Sequence, residues 1–265
     1  MTAEQAMMFY EGDVTGDDPF WGDKKAYVTI NSLLFPGLRN ERARAAEGKR
    51  LNPAFLDDPA RLESFYSAML QGLKANAVAK DMVTSRVERL QDYEEQKKAG
   101  YLFSFTSTST AGFLTEYGDK KGLALLSFTI PANTPSVCFA DVLSHYEKAG
   151  EKEILLSPFL TFSVEEQEMG EELKSILDAD GNPPAVYAKA KACFSKDFLK
   201  QTAKARKNQE TEAGYPAGGA QAGQRIYQAL NNGEKPAPED ETLFCAFKQE
   251  LQRKVIEMAA DIYDS

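Results

Sequence analysis

Histidine and cysteine are scarce in this chain: 265 residues include one histidine, His145, and three cysteines, Cys138, Cys193 and Cys245, far apart in sequence. A Ser-His-Asp triad or a histidine-rich zinc site has only one residue to be built around, and isolated cysteines form neither a disulfide framework nor a CxxC metal knuckle. We read the cysteines as buried free thiols of a reducing compartment and expect no metal. Basic residues are outnumbered, with 31 Lys and Arg against 40 Asp and Glu for a net charge of −9. That balance argues against nucleic-acid binding, which is driven by clustered cations. No apolar run approaches the roughly 18 residues of a membrane span, so no transmembrane segment is expected. The N-terminus, MTAEQAMMFYEGDVTGDD, is acidic, without the basic start and apolar stretch of an export signal. No repeat of fixed period is visible.

What is present is an ordinary globular balance, 43% hydrophobic and 27% charged, enough to bury a sizeable core. An acidic, turn-rich lead reads as an irregular arm packed by Phe20 and the only tryptophan, Trp21. Tyr27, Ile30, Leu33 and Leu34 have helical spacing that Pro36-Gly37 stops. Asp57 or Asp58 caps a further helix with an apolar stripe of Leu62, Phe65, Tyr66, Met69, Leu70 and Leu73. From about Lys80 the pattern turns to β, with strands read in Met82 to Val87, YLFSFTSTST, GLALLSFTIP, PSVCFADVL and EKEILLSPFLTFSV. Beyond Val164 it turns helical again. Residues 185–207, AVYAKAKACFSKDFLKQTAKARK, read as a basic amphipathic helix able to meet a membrane surface or an acidic partner, or to pack on its own domain. Strands segregated between helices give the α+β class.

The stretch with the least obvious structural purpose is Glu151-Lys152-Glu153, at the mouth of an apolar strand. Alternation along a strand predicts Glu151 and Glu153 on one face, about 6.5 Å apart. Two like charges there repel each other without an obvious local cation, which a site needing two acids tolerates and an ordinary strand does not. An exposed strand end is the structural alternative.

Three pieces line up in order: Arg86 on the first strand, Ser107-Thr108-Ser109 within FSFTSTST, and Glu151-x-Glu153 after the loop DVLSHYEKAG. Together they resemble the Arg, Ser-Thr-Ser and Glu-x-Glu signature of the mono-ADP-ribosyltransferases of the cholera-toxin-like class. AYVTINSLL is similar to the tyrosine and Ile-Asn-x-x-Leu helix those domains carry before their first strand, so the resemblance covers roughly Tyr27 to Val164. Two features depart from it. Ser85 precedes Arg86 where many members have an aromatic residue, which leaves Arg89 as a rival, and the last hundred or so residues have no counterpart.

The resemblance implies an ADP-ribosyltransferase-like two-sheet β core with an NAD cleft, N-terminal helices and a helical C-terminal extension. The implied domain runs over 1–168, with a helical lobe at 1–80 and the β core at 81–168; the extension is 169–265. NAD would be the substrate, held by Arg86, Ser107, Thr108, Ser109 and Phe113, with Phe113 stacked on nicotinamide. Glu153 would stabilise positive charge on the ribose, with Ser107 fixing its rotamer. Glu151 would prepare the acceptor and Tyr146 would lie against a protein substrate. An acidic first position implies arginine as the modified side chain, and the class includes bacterial toxins and effectors. The protein is then expected in the cytoplasm of the producing cell, or delivered into a host cell without a cleaved signal. Rival functions are a hydrolase that merely cleaves NAD and a catalytically silent binding protein. Ordinary readings also stand beside each residue: Arg86 paired with Glu88 or Asp81, hydroxyls on a half-exposed strand, and aromatic rings in the core.

Overall fold

The computed structural model describes residues 1–12, 19–20, 22–23, 25–113, 121–143, 152–207 and 214–265. Trp21 and His145 lie outside them. In chain order the elements are α1 (Ala3–Glu11), α2 (Ala26–Leu34), α3 (Arg39–Ala46), a 3-10 turn (Pro53–Leu56), α4 (Pro59–Ala75), β1 (Met82–Arg89), α5 (Leu90–Ala99), β2 (Thr106–Ser109), β3 (Leu123–Ile130), β4 (Ser136–Cys138), α6 (Phe139–Val142), β5 (Glu153–Leu156), β6 (Thr161–Gln167), α7 (Glu171–Lys174), β7 (Val186–Cys193), α8 (Lys196–Lys207), α9 (Gly219–Asn231) and α10 (Pro238–Asp264). The architecture is α+β. It divides into two compact units, one made of 1–72 with 196–265 and the other of 73–195.

The first unit is helical and its helix starts are chemically marked. Thr2 and Gln5 form a reciprocal capping box on α1. The Asp58 carboxylate accepts from the backbone N–H of Ala60 (3.0 Å) and Arg61 (3.2 Å), meeting the orphan donors at the head of α4. Phe9, Phe20, Phe55 and Phe65 pack ring against ring at centroid distances between 4.5 and 5.8 Å, so Phe20 is held against α1 and the 3-10 turn. Close approach of α9 to α10 requires Gly223, because a Cβ there would collide with the Phe244 ring and the Leu56 methyl. Buried between α3 and α10 is an ion pair, Glu41 with Lys248, whose ammonium also donates to the Gly37 carbonyl at 2.6 Å. Burial pushes the Glu41 carboxyl above its ordinary pKa and the Lys248 ammonium below its own, although each partner opposes the shift. Their mutual attraction does not fully offset the loss of water.

In the second unit the strands follow the order β4-β5-β2-β1-β3-β7-β6. Two well-paired ladders make up this order. β1 and β3 pair along eight positions, β3 and β7 run parallel, and β6 and β7 are antiparallel. On the other side β5 pairs with both β2 and β4. A single pair, Ser85 opposite Ser109, joins β1 to β2. In place of the expected two-sheet core, the seven strands form one sheet, whose three-stranded and four-stranded ladders are joined by that single pair. One face of the four-stranded ladder is covered by a core of Leu126, Phe128, Ile130, Phe162 and the alanines Ala188, Ala190 and Ala192, with Tyr93 of α5 packed into it.

Several sequence expectations change here. The basic helix expected across 185–207 is a strand followed by a helix: Ala188, Ala190 and Ala192 are buried while Lys189 and Lys191 are exposed, the two-residue period of a half-buried strand. Only from Lys196 does the chain become helical, and there Lys196 and Lys200 both pair with Asp264 at the end of α10. The run EKEILLSPFLTFSV is two strands, because Pro158 lacks a ladder donor and Phe159 takes φ +62°. PSVCFADVL is a three-residue strand running directly into a short helix. The acidic run after Val164 continues as β6 to Gln167 before the single turn of α7.

Replacing one member of the Glu41–Lys248 pair leaves the other buried without its counter-charge. Lys248→Ala is expected to lower stability by about 3–5 kcal/mol in urea unfolding, whereas the apolar pair Glu41→Leu with Lys248→Met stays within about 2 kcal/mol of the parent. A double variant as unstable as the single one would contradict this account.

Candidate active site

Three neighbouring strands of the second unit, β5, β2 and β1, carry the residues singled out in the sequence. Ser109 of β2 stands directly opposite Glu153 of β5 on one side and Ser85 of β1 on the other. Residues opposite one another in an antiparallel pair project from the same face, so Ser85, Ser109 and Glu153 form one row. Ser107 lies on that face too, two positions along β2 and opposite Leu155. Glu153 is 7% exposed, at the start of a strand otherwise made of Ile154, Leu155 and Leu156.

Alternation sends the Arg86 side chain from the opposite face of β1, yet its guanidinium reaches the join. Nη1 donates to the main-chain carbonyl of Ser107 at 2.6 Å, and Nε donates to Glu88 Oε2 at 2.7 Å. Past the single backbone pair, a side chain therefore connects the two ladders. Of the two candidate partners for Arg86, the structure selects Glu88; Asp81 accepts instead from the Ala132 N–H at 2.9 Å. The rival Arg89 is 6% exposed at the β1–α5 junction and pairs with Asp92 at 2.9 Å.

The Ser-Thr-Ser run divides its labour. The buried Thr108 hydroxyl donates to the Ile154 carbonyl at 3.0 Å, tying β2 to β5, and Ser109 Oγ accepts from the Ala111 N–H at 3.0 Å, closing the strand. Ser107 is the half-buried member. Before Glu153 the backbone departs from the expected strand. Lys152 takes φ +46°, a left-handed conformation unfavourable for a residue with a side chain, and its carbonyl accepts from the Thr110 N–H at 3.2 Å. Regular alternation along β5 begins at Glu153. Glu151 and Tyr146 lie outside the described residues. Backbone strain of this kind concentrates at functional sites.

Phe113 is half-buried against Val87, Leu123 and Leu125, edge-on to the Tyr187 ring at 6.4 Å. The helix containing Tyr27 and the Ile30-Asn31 pair belongs to the first unit, where Asn31 donates to the Tyr10 hydroxyl at 2.9 Å. Sequence reading missed Asp178, whose carboxylate accepts backbone N–H groups of Gly122, Asp180 and Asn182 and fixes the entry to β3. Those bonds, that from Gly122 first, hold its carboxyl below the usual range. Among the described residues no group of His, Cys, Asp and Glu side chains is arranged to hold a metal, and no helix is long and apolar enough to cross a membrane.

No protein-family model and no curated protein matches the sequence. Among solved structures, the chain is similar to the ADP-ribosylating toxin BECa of a binary enterotoxin of C. perfringens, at 14% identity and a TM-score of 0.43 over 72% of this chain and 43% of that one. It is also similar to an ADP-ribosyltransferase from Clostridium botulinum (15%, TM-score 0.41, 73% of this chain and 88% of that one). A third likeness is to the ATR domain of Salmonella SpvB (14%, TM-score 0.44, 72% and 98%). The match spans less than half the length of BECa.

The conformation of Lys152 has a measurable consequence. Lys152→Gly, which removes the steric cost of positive φ, is expected to raise stability by about 1 kcal/mol, while the β-branched Lys152→Val lowers it by at least as much. Urea midpoints at unchanged slope are the measurement, and a destabilised glycine variant would show that the lysine side chain itself stabilises this turn.

Proposed function

We propose that this protein is an NAD-dependent mono-ADP-ribosyltransferase that moves ADP-ribose from NAD to a protein side chain, with arginine as the acceptor. One observation carries the reading: Arg86, the Ser107–Ser109 run and Glu153, distant in sequence, come together on β1, β2 and β5 where the two ladders meet. Their order along the chain is that of the Arg, Ser-Thr-Ser and Glu-x-Glu signature.

The chemistry asks for such a set. As the bond between the ribose C1′ and the nicotinamide nitrogen breaks, the electron pair leaves with nicotinamide and positive charge develops on the sugar. A carboxylate held at that carbon stabilises the transition state more than the ground state, and we assign this role to Glu153. Its near-burial strengthens the interaction by lowering the local dielectric. Arg86 is assigned to the diphosphate of NAD, because a planar guanidinium matches phosphate oxygens with two parallel hydrogen bonds. Ser107, on the Glu153 face, is assigned to the ribose and to the carboxylate beside it. Glu151 is assigned to the acceptor: a carboxylate pairs with an arginine guanidinium and takes the proton its nitrogen loses on forming the new bond to C1′.

Incubation with labelled NAD and candidate lysates, followed by mass spectrometry of the labelled protein, tests the reading. Label on an arginine supports it. Nicotinamide release without labelled protein makes the enzyme a hydrolase, and no consumption of NAD makes it a binding protein. The two acids separate further. Glu153→Gln is expected to lower every NAD-cleaving activity by about two to three orders of magnitude. Glu151→Gln is expected to abolish transfer while nicotinamide release to water survives. The role assignment fails if, with both variants folded, Glu151→Gln silences hydrolysis as fully as Glu153→Gln.

A further inference from the structure

Glu88 takes no part in the chemistry above, yet the residue is 4% exposed, and a carboxylate withdrawn from water is unfavourable unless its charge and lone pairs are met. Both oxygens are engaged. Oε2 accepts from Arg86 Nε at 2.7 Å, and Oε1 accepts from the Arg89 backbone N–H at 3.0 Å, which anchors the carboxylate to the end of β1. Positions 86 and 88 share a face of the strand, so the pairing needs no distortion of it. With Nη1 held by the Ser107 carbonyl on the next strand, the guanidinium is fixed through two of its nitrogens, and its plane is set before any ligand arrives.

We infer that Glu88 is a positioning residue that orients Arg86 toward the diphosphate of NAD; this rests on the NAD chemistry proposed above. Recognition of phosphate by arginine depends on the direction of its planar fork, and an orientation fixed in advance removes the ordering cost from the binding step. A second effect of Glu88 has the opposite sign: its negative charge partly offsets the attraction of Arg86 for phosphate. Substitution decides between them. Glu88→Gln removes the charge and puts an NH2, itself a donor, in place of one of the two accepting oxygens, so it cannot accept from the Arg86 guanidinium and the Arg89 N–H through separate oxygens. If positioning dominates, NAD is held more weakly; if charge offset dominates, it is held more tightly.

The test is the rate of nicotinamide release against NAD concentration for the parent protein, Glu88→Gln, Arg86→Met and the double variant, with folding checked by thermal unfolding. Glu88→Gln is expected to raise KM about tenfold while kcat changes less than about twofold, and to add less than about twofold in the Arg86→Met background. An unchanged or lowered KM overturns the inference, as does an equal loss in both backgrounds. Glu88→Asp, which keeps the charge and both oxygens but withdraws them by one methylene, guards against a glutamine variant that does not fold: a raised KM is expected, and an unchanged one overturns the proposal. A parent protein that releases no nicotinamide removes the NAD reading and this inference with it. An active parent that Glu153→Gln silences, with a KM indifferent to Glu88, removes the inference alone.

Discussion

One residue pair, Ser85 opposite Ser109, is the backbone join between the three-stranded and four-stranded ladders of the second unit. β-Strands twist, and strands paired over many residues must twist together; a join of one pair releases the two ladders from that requirement. The site depends on this release. Main-chain groups at the parting strands need partners other than each other, and the Ser107 carbonyl obtains one from Arg86. Ser85 from one ladder and Ser109 and Glu153 from the other line one face there, while Arg86 crosses the join from the opposite face to the Ser107 carbonyl.

Stability and function draw on the same residues at this point. Thr108 and Ser109 use their hydroxyls to tie β2 to β5 and to end the strand, which fixes the register that sets Ser109 opposite Glu153. A slip of one residue would move the acid to the other face. The left-handed Lys152, with its carbonyl held from Thr110, gives the chain a sharp entry to β5, so that a carboxylate can open a strand of three buried aliphatic residues.

Much of this organisation is legible from local pattern. The α+β class, the helix at 26–34, the Asp58 cap and the apolar strand at 123–130 follow from spacing and punctuation that act over a few residues. The order of Arg86, Ser107–Ser109 and Glu153 is legible as well, through resemblance. What escapes depends on partners distant in sequence or on backbone conformation. In residues 186–193 the alternation Ala-Lys-Ala-Lys-Ala is in plain view, but lysine content points to a basic helix, and only the seat between β3 and β6 gives the small alanines a buried face. Composition reads the entry to β5 as extended, and no composition rule announces a lysine at positive φ at position 152. The choice of Glu88 over Asp81 as partner of Arg86 turns on Ala132, which occupies Asp81 from fifty-one positions away.

The first unit is assembled from both ends of the chain, with the whole second unit interposed. Glu41 and the lysine that neutralises it are 207 residues apart. At synthesis rates of about 5–20 residues per second, roughly 10 to 40 s pass between the two. During that interval 73–195 is complete and can close its own core, whereas Glu41 of α3 awaits Lys248 and the carbonyls of Leu33 and Phe35 await Gln252 of α10. The middle of this sequence can thus settle before the contacts of α2 and α3 with α10 are made.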